Sequence, residues 1–261
     1  FKMATATQRL LADNPFCCFC GGAQAAVSLD HQPARIIFPD RYRPKGLEFP
    51  ACAYCNVQTS GAEALMAVIA RMVGNHRPTV TRSDKALHNA VAAVGHAFPS
   101  LLPQITHRIW EARNGVLRRA LALDANHSQV EASACLIAAK LALATYYEEH
   151  GASVPATAKI NTMWTHNQNP YGAPGITGLL SMLPKSKYLS QGKKWDTQDT
   201  FFVRYHGEGG EFFSVAILHE SVALMAMVVD ANRPIARWHR VWAPVKGRGL
   251  QPYPARWASL A

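Results

Sequence analysis

Phe16-Cys17-Cys18-Phe19-Cys20-Gly21-Gly22 and Pro50-Ala51-Cys52-Ala53-Tyr54-Cys55-Asn56 are the stretches that decide how this chain is read. Each holds a CxxC pair, and 31 residues separate Cys20 from Cys52. A CxxC turn lets two sulfurs face one ion, and tetrahedral Zn²⁺ takes four soft ligands. Cys17, Cys20, Cys52 and Cys55 are therefore read as a structural zinc site. Two disulfides or four unrelated buried thiols are the alternatives. Cys18 has the wrong spacing for a ligand, and Cys135 is assigned to a helix core. The first 60 residues are broken by Pro15, Gly21, Gly22, Pro33, Pro39, Pro44, Gly46 and Pro50, which leaves room only for short elements. So small a segment buries little, and metal binding would itself supply folding free energy.

The gap between the pairs exceeds the roughly 15–20 residues of a plain zinc ribbon, so something is inserted. The insertion carries Asp30-His31-Gln32-Pro33-Ala34 and Phe38-Pro39, and Asn56 directly follows the second pair. This arrangement, CxxC…Asp-His…CxxC-Asn, resembles the HNH nucleases of the ββα-metal class. It is closer to a bacterial and phage group reading D-H-x-P-P…F-P…P-x-C-x-x-C-N. Tyr146-Tyr147-Glu148-Glu149-His150-Gly151 is a weaker echo of that group. The strong motif covers about residues 17–60.

The resemblance implies a metal-dependent DNA endonuclease that hydrolyses phosphodiester bonds. His31 matches the general base, and imidazole chemistry suits the deprotonation of water near neutrality. Asp30 and Asn56 match the ligands of a catalytic Mg²⁺ or Mn²⁺, for which oxygen donors are suited. On an extended strand Asp30 and His31 point to opposite faces, so serving one reaction centre requires a bent strand end. Zinc would hold the hairpin bearing Asp30-His31 against a helix bearing Asn56. Three departures stand out. The middle Asn of the family pattern falls on Lys45 to Leu47, where there is none. The Lys found three places after the last motif residue is Thr59, and the second Pro is Ala34.

Around this module the texture changes. Ser60 and Glu63 form a capping box before the apolar run Leu65–Val73, which ends at Gly74. Leu87, Val91, Val94 and Phe98 follow helical spacing behind Ser83. A further helix is expected over Ile105–Leu123. The strongest begins at Ser128 with Glu131, and stops at Gly151 before Pro155. Residues 156–200 read as an irregular connector. Phe201–His206, Glu211–Leu218 and Ser221–Val229 read as a hairpin plus a third strand. The expected fold is α+β in three parts: a zinc-stapled ββα-metal (HNH) module over 1–60, a helical region over 61–155, and a mixed region with β-strands and a basic aromatic tail over 156–261.

The 261 residues carry 27 Lys plus Arg against 17 Asp plus Glu, a net charge of +10. Such a surplus favours a polyanionic partner, here DNA. Arg35, Arg41 and Arg43 are candidate phosphate contacts, with an ordinary solvated loop as the alternative. The excess lies mostly beyond residue 150, in Lys185, Lys187, Lys193 and Lys194 and in Arg233–Arg256, interleaved with Trp238, Trp242, Tyr253 and Trp257. No run of about 18 uninterrupted apolar residues suggests a membrane span, and no signal peptide is visible, so a cytoplasmic setting is expected. P-loop, G-x-S-x-G and HExxH motifs are missing. A phage or anti-phage context follows from the resemblance alone. A second class remains open: a non-catalytic zinc module that binds nucleic acid or a protein partner. A third makes the rest of the chain a subunit that docks on other proteins or on its own copies.

Overall fold

In the computed structural model, residues 5–38, 47–73, 83–101, 108–113, 116–121, 123–124, 127–155, 157–166, 180–181, 183–184, 201–229 and 243–244 are described. Residues 5–38 open with α1 (Ala6–Asp13), whose Thr5 and Gln8 form a capping box. Short extended segments then pair as an antiparallel hairpin, β1 (Ser28–His31) with β2 (Glu48–Ala51). Asp30 lies opposite Phe49, and His31 opposite Glu48. A two-stranded hairpin is marginal alone, so its supports matter. Helix α2 (Ala53–Val57) follows within two residues, and α3 (Ser60–Val73) follows α2. The chain order β-β-α is therefore present, and the helix bearing Asn56 is only five residues long.

Helices α3 and α4 (Ser83–Ala97) start at Ser60 and Ser83, but Ser60 is already helical. The Glu63 amide donates to Thr59 O, and the Glu63 carboxylate meets Thr59 Oγ1 and Lys140 in place of the expected Ser60–Glu63 box. The expected helix over Ile105–Leu123 is instead a hairpin of β3 (Arg108–Arg113) and β4 (Val116–Leu121). The two residues between these strands are Asn114-Gly115, the commonest short hairpin signal. That signal outweighs the helical spacing of the flanking apolar residues. Helix α5 (Ser128–His150) ends at Gly151 with φ 65°, a left-handed cap that glycine adopts without strain. Its start is capped by His127, which accepts from the Gln129 amide, rather than by Ser128.

The presumed connector contains a further strand, β5 (Lys159–His166). It enters an antiparallel sheet with β6 (Phe201–Glu208), β7 (Glu211–Leu218), β8 (Val222–Val229) and β9 (Ala243–Pro244), ordered β6-β7-β8-β5-β9. Asn161, Thr162 and Thr165 dilute the apolar alternation of β5, though Thr162 and Thr165 are buried. The expected hairpin and third strand are β6, β7 and β8.

Helix α5 is the axis of the fold. It packs against β5, β7 and β8 on one side and α3 on another. From Val130 to Thr145 nearly every side chain is buried, whichever way it points, as expected of a helix apolar around its girth. By length and composition α5 could cross a membrane, but 78% of its apolar window is buried within the fold. Full burial of each Leu or Ile here contributes about 1.5–3 kcal/mol.

Candidate functional site

The first knuckle is shaped by backbone bonds. The Cys17 amide donates to Gln24 O at 2.9 Å, the Gly22 amide donates to Cys17 O at 3.1 Å, and Gly21 and Gly22 take φ of 65° and 75°. Only glycine reaches those values freely. The Cys18 amide donates to Pro50 O at 3.0 Å and ties the knuckle to β2. In the second knuckle, Cys52 caps α2 and its Sγ accepts from the Cys55 amide at 3.4 Å. The Phe19 amide likewise reaches Cys17 Sγ at 3.4 Å.

These turns bring Cys17, Cys20, Cys52 and Cys55 together, all buried, with their sulfurs within 4.8 Å of one another. A tetrahedral ion with bonds of about 2.3 Å needs sulfurs about 3.8 Å apart, so the cluster could hold a metal such as zinc. Hydrogen bonds from Cys17, then Cys55, pull the Cys20 thiol down to about 3, which favours the thiolate that metals bind. No disulfide forms. Cys18 stays outside the cluster, and burial pushes its thiol well up.

Asp30 and His31 diverge as strand alternation requires. His31 is half-buried, with Nδ1 3.7 Å from Glu48 Oε1 on the paired strand. Glu48 stands one place beyond the window where the family pattern has its middle Asn, and it gives the imidazole a carboxylate neighbour. Asp30 turns inward and is only 5% exposed. Its Oδ2 lies 2.6 Å from Lys140 Nζ of α5. Asn56 sits behind the same strand, donating Nδ2 to Ser28 Oγ at 2.8 Å.

Lys140 is fully buried, and Glu63 Oε1 lies 2.7 Å from the same ammonium. Thr59 Oγ1 accepts a hydrogen bond from Nζ, and the Phe19 ring centroid lies 5.5 Å away. An ammonium thus stands against Thr59, although the chain has no Lys at that position. Burial works to lower the Lys140 pKa, but Glu63 and then Asp30 outweigh it and leave it raised. Burial, opposed by Lys140 and reinforced by Glu63, raises Asp30 from 3.8 to about 6. One cation between two carboxylates leaves one negative charge poorly compensated.

This geometry bears on the expected Mg²⁺ or Mn²⁺. The Asp30 carboxylate faces the core and is engaged by an ammonium, so the arrangement does not offer it to an ion on the His31 side. The four thiols, in contrast, fit a soft ion. Arg35 is exposed on a 3₁₀ turn (Arg35–Ile37) just after the Asp30-His31 segment. Arg71 donates to Ile36 O at 2.9 Å and Phe38 O at 3.1 Å, and His219 Nε2 lies 2.7 Å from Ile37 O. Arg41, Arg43 and the basic clusters of 185–194 and 233–256 lie outside the described residues. In the Tyr146–Gly151 echo, Tyr146 stacks on His150 at 4.1 Å, beside a cavity of about 140 Å³ at the end of α5.

Motif spacing alone does not reveal Lys140, Glu63 or Glu48. Lys140 has a signal nonetheless: it is the sole charge between Glu131 and Glu148, and a lysine within a buried helix needs partners. Compared with family models, curated proteins and solved structures, the chain matches none.

Proposed function

We propose that the chain is an HNH-type endonuclease acting on DNA, with zinc bound by Cys17, Cys20, Cys52 and Cys55. The observation that carries this reading is the setting of His31. It is partly exposed on β1, beside the Glu48 carboxylate, in a hairpin braced by the thiol cluster. With the Glu48 carboxylate 3.7 Å from Nδ1 favouring the tautomer protonated there, Nε2 of His31 would accept a proton from water as that water attacks phosphorus. The P–O bond to the leaving oxygen breaks as that oxygen takes a proton from solvent. Glu48 is then a positioning residue. Arg35, exposed just after the Asp30-His31 pair, would neutralise a neighbouring phosphate. Zinc fixes the hairpin relative to α2 and takes no part in the chemistry. No step runs through an ion between Asp30 and Asn56, because Asp30 is committed to Lys140.

That same commitment favours a second reading, in which the module binds nucleic acid or a protein without cutting. Supercoiled plasmid incubated with the full chain in Mg²⁺, Mn²⁺ or EDTA separates the two. Nicked circles above the protein-free control support the nuclease. Gel-shifted but uncut plasmid under every condition sinks it and leaves the binding module.

A further inference from the structure

The Lys140 cluster has a consequence for metal binding. Three oxygens, Asp30 Oδ2, Glu63 Oε1 and Thr59 Oγ1, surround one ammonium. Nζ donates to Glu63 Oε1 and to Thr59 Oγ1, while Asp30 Oδ2 is held by the charge of the ammonium at 2.6 Å and not by an aligned hydrogen bond. Thr59 Oγ1 in turn donates to Glu63 Oε1 at 2.9 Å, which fixes the hydroxyl between them. The oxygens come from β1, from α3 and from the residue preceding α3, while the cation arrives from the middle of α5. The cation also lies over Phe19, inside the first CxxC knuckle. Carboxylate and hydroxyl oxygens at such a convergence are the donor set a hard divalent cation would use.

We propose that Lys140 is the resident cation of this oxygen cage: its ammonium fills the place of a divalent ion, closes Asp30 to Mg²⁺ and Mn²⁺, and locks the Asp30-His31 hairpin to the core. The nuclease reading supplies the reason to look for a metal at Asp30, and the inference rests on it only to that extent. A fully buried lysine with two carboxylates cannot be traded for a hydrated ion without opening the packing between α3 and α5. Release of Lys140 would leave an uncompensated charge at one of the most expensive places in the molecule. Asp30 thereby becomes a structural residue one place from the proposed base. The hairpin's inner face is committed to the core, while its outer face is left to chemistry.

The experiment titrates Mn²⁺ into the zinc-loaded full chain and into Asp30→Asn, with free Mn²⁺ read by electron paramagnetic resonance. The same titration signal, within twofold, is expected for both proteins. One Mn²⁺ per wild-type chain, lost in Asp30→Asn, would overturn the proposal. Thermal melting of Lys140→Met and Lys140→Ala supplies a second arm, independent of metal. Both variants should melt well below wild type or fail to fold, and melting at the wild-type temperature would overturn the cage. Neither readout involves cleavage, so a chain that never nicks DNA would end the nuclease reading and leave this test intact.

Discussion

The β1–β2 hairpin and the five-stranded sheet are both antiparallel, yet they are held in opposite ways. The hairpin strands are four residues long, and Phe49 and Ala51 of β2 join the main core. Their supports are the thiol cluster behind Cys52 and the Lys140 cluster beneath Asp30. Strands β6, β7 and β8 are eight residues long; β7 and β8 are buried on both faces, and β6 chiefly on one. Phe212, Leu224 and Val228 join the main core on the α5 side. Val215, Ile217, Ala223 and Met225 pack with Phe202, Phe213, Leu180 and Leu183 on the other. Apolar area suffices for the sheet. The hairpin, being short, adds directional bonds to its share of that core, and it can loosen by losing one of them.

The largest expected effect therefore comes from the thiols. Removing zinc with a strong chelator, or making Cys52→Ser, should unfold the region around residues 15–57 while the sheet persists. The loss is on the order of 10 kcal/mol locally. Hydrogen exchange should show deprotected amides in β1, β2 and α2 against protected amides in β7 and β8. Uniform deprotection would mean that the two regions are one cooperative unit.

Lys140→Met should come next, because it strands the buried Asp30 carboxylate and the partly buried Glu63, at about 3–5 kcal/mol by denaturant unfolding. On the sheet side, Leu224→Ala should cost about 2–5 kcal/mol through its cavity. The two substitutions differ in character: chelation should compound the first and leave the second unchanged.

A smaller effect is a pH dependence. The folded pKa of Asp30 is raised from 3.8 to about 6, so the native state binds this proton more tightly than the unfolded chain. The associated stability is fully present below about pH 4 and is lost as pH rises through about 6. It amounts to roughly 1–3 kcal/mol. Asp30→Asn should flatten the slope between those pH values in urea titrations. A slope of the same sign and size in the variant would assign it to another group.

The same contrast explains what could be read from the sequence. The four-cysteine cluster is legible because its chemistry is local and its spacing is rigid. The partners of Asp30 are not, since Lys140 lies 110 positions away and Glu63 lies 33 positions away. Glu48 carries no sequence signal, because its pairing with His31 depends on a register that only the folded hairpin defines. Strand β5 was hidden by its polar residues. The β3–β4 hairpin was announced by Asn114-Gly115, a signal outweighed in the reading by helical spacing. The inward turn of Asp30 followed from strand alternation, but what it would meet there did not.

If His31, on the outer face of that hairpin, is the base of a phosphodiester hydrolysis, single-turnover nicking of plasmid by zinc-loaded proteins matched in circular dichroism will show it. His31→Ala should lose about 10²- to 10⁴-fold in rate relative to wild type, with Glu48→Gln falling between the two. Equal rates for wild type and His31→Ala would contradict that role.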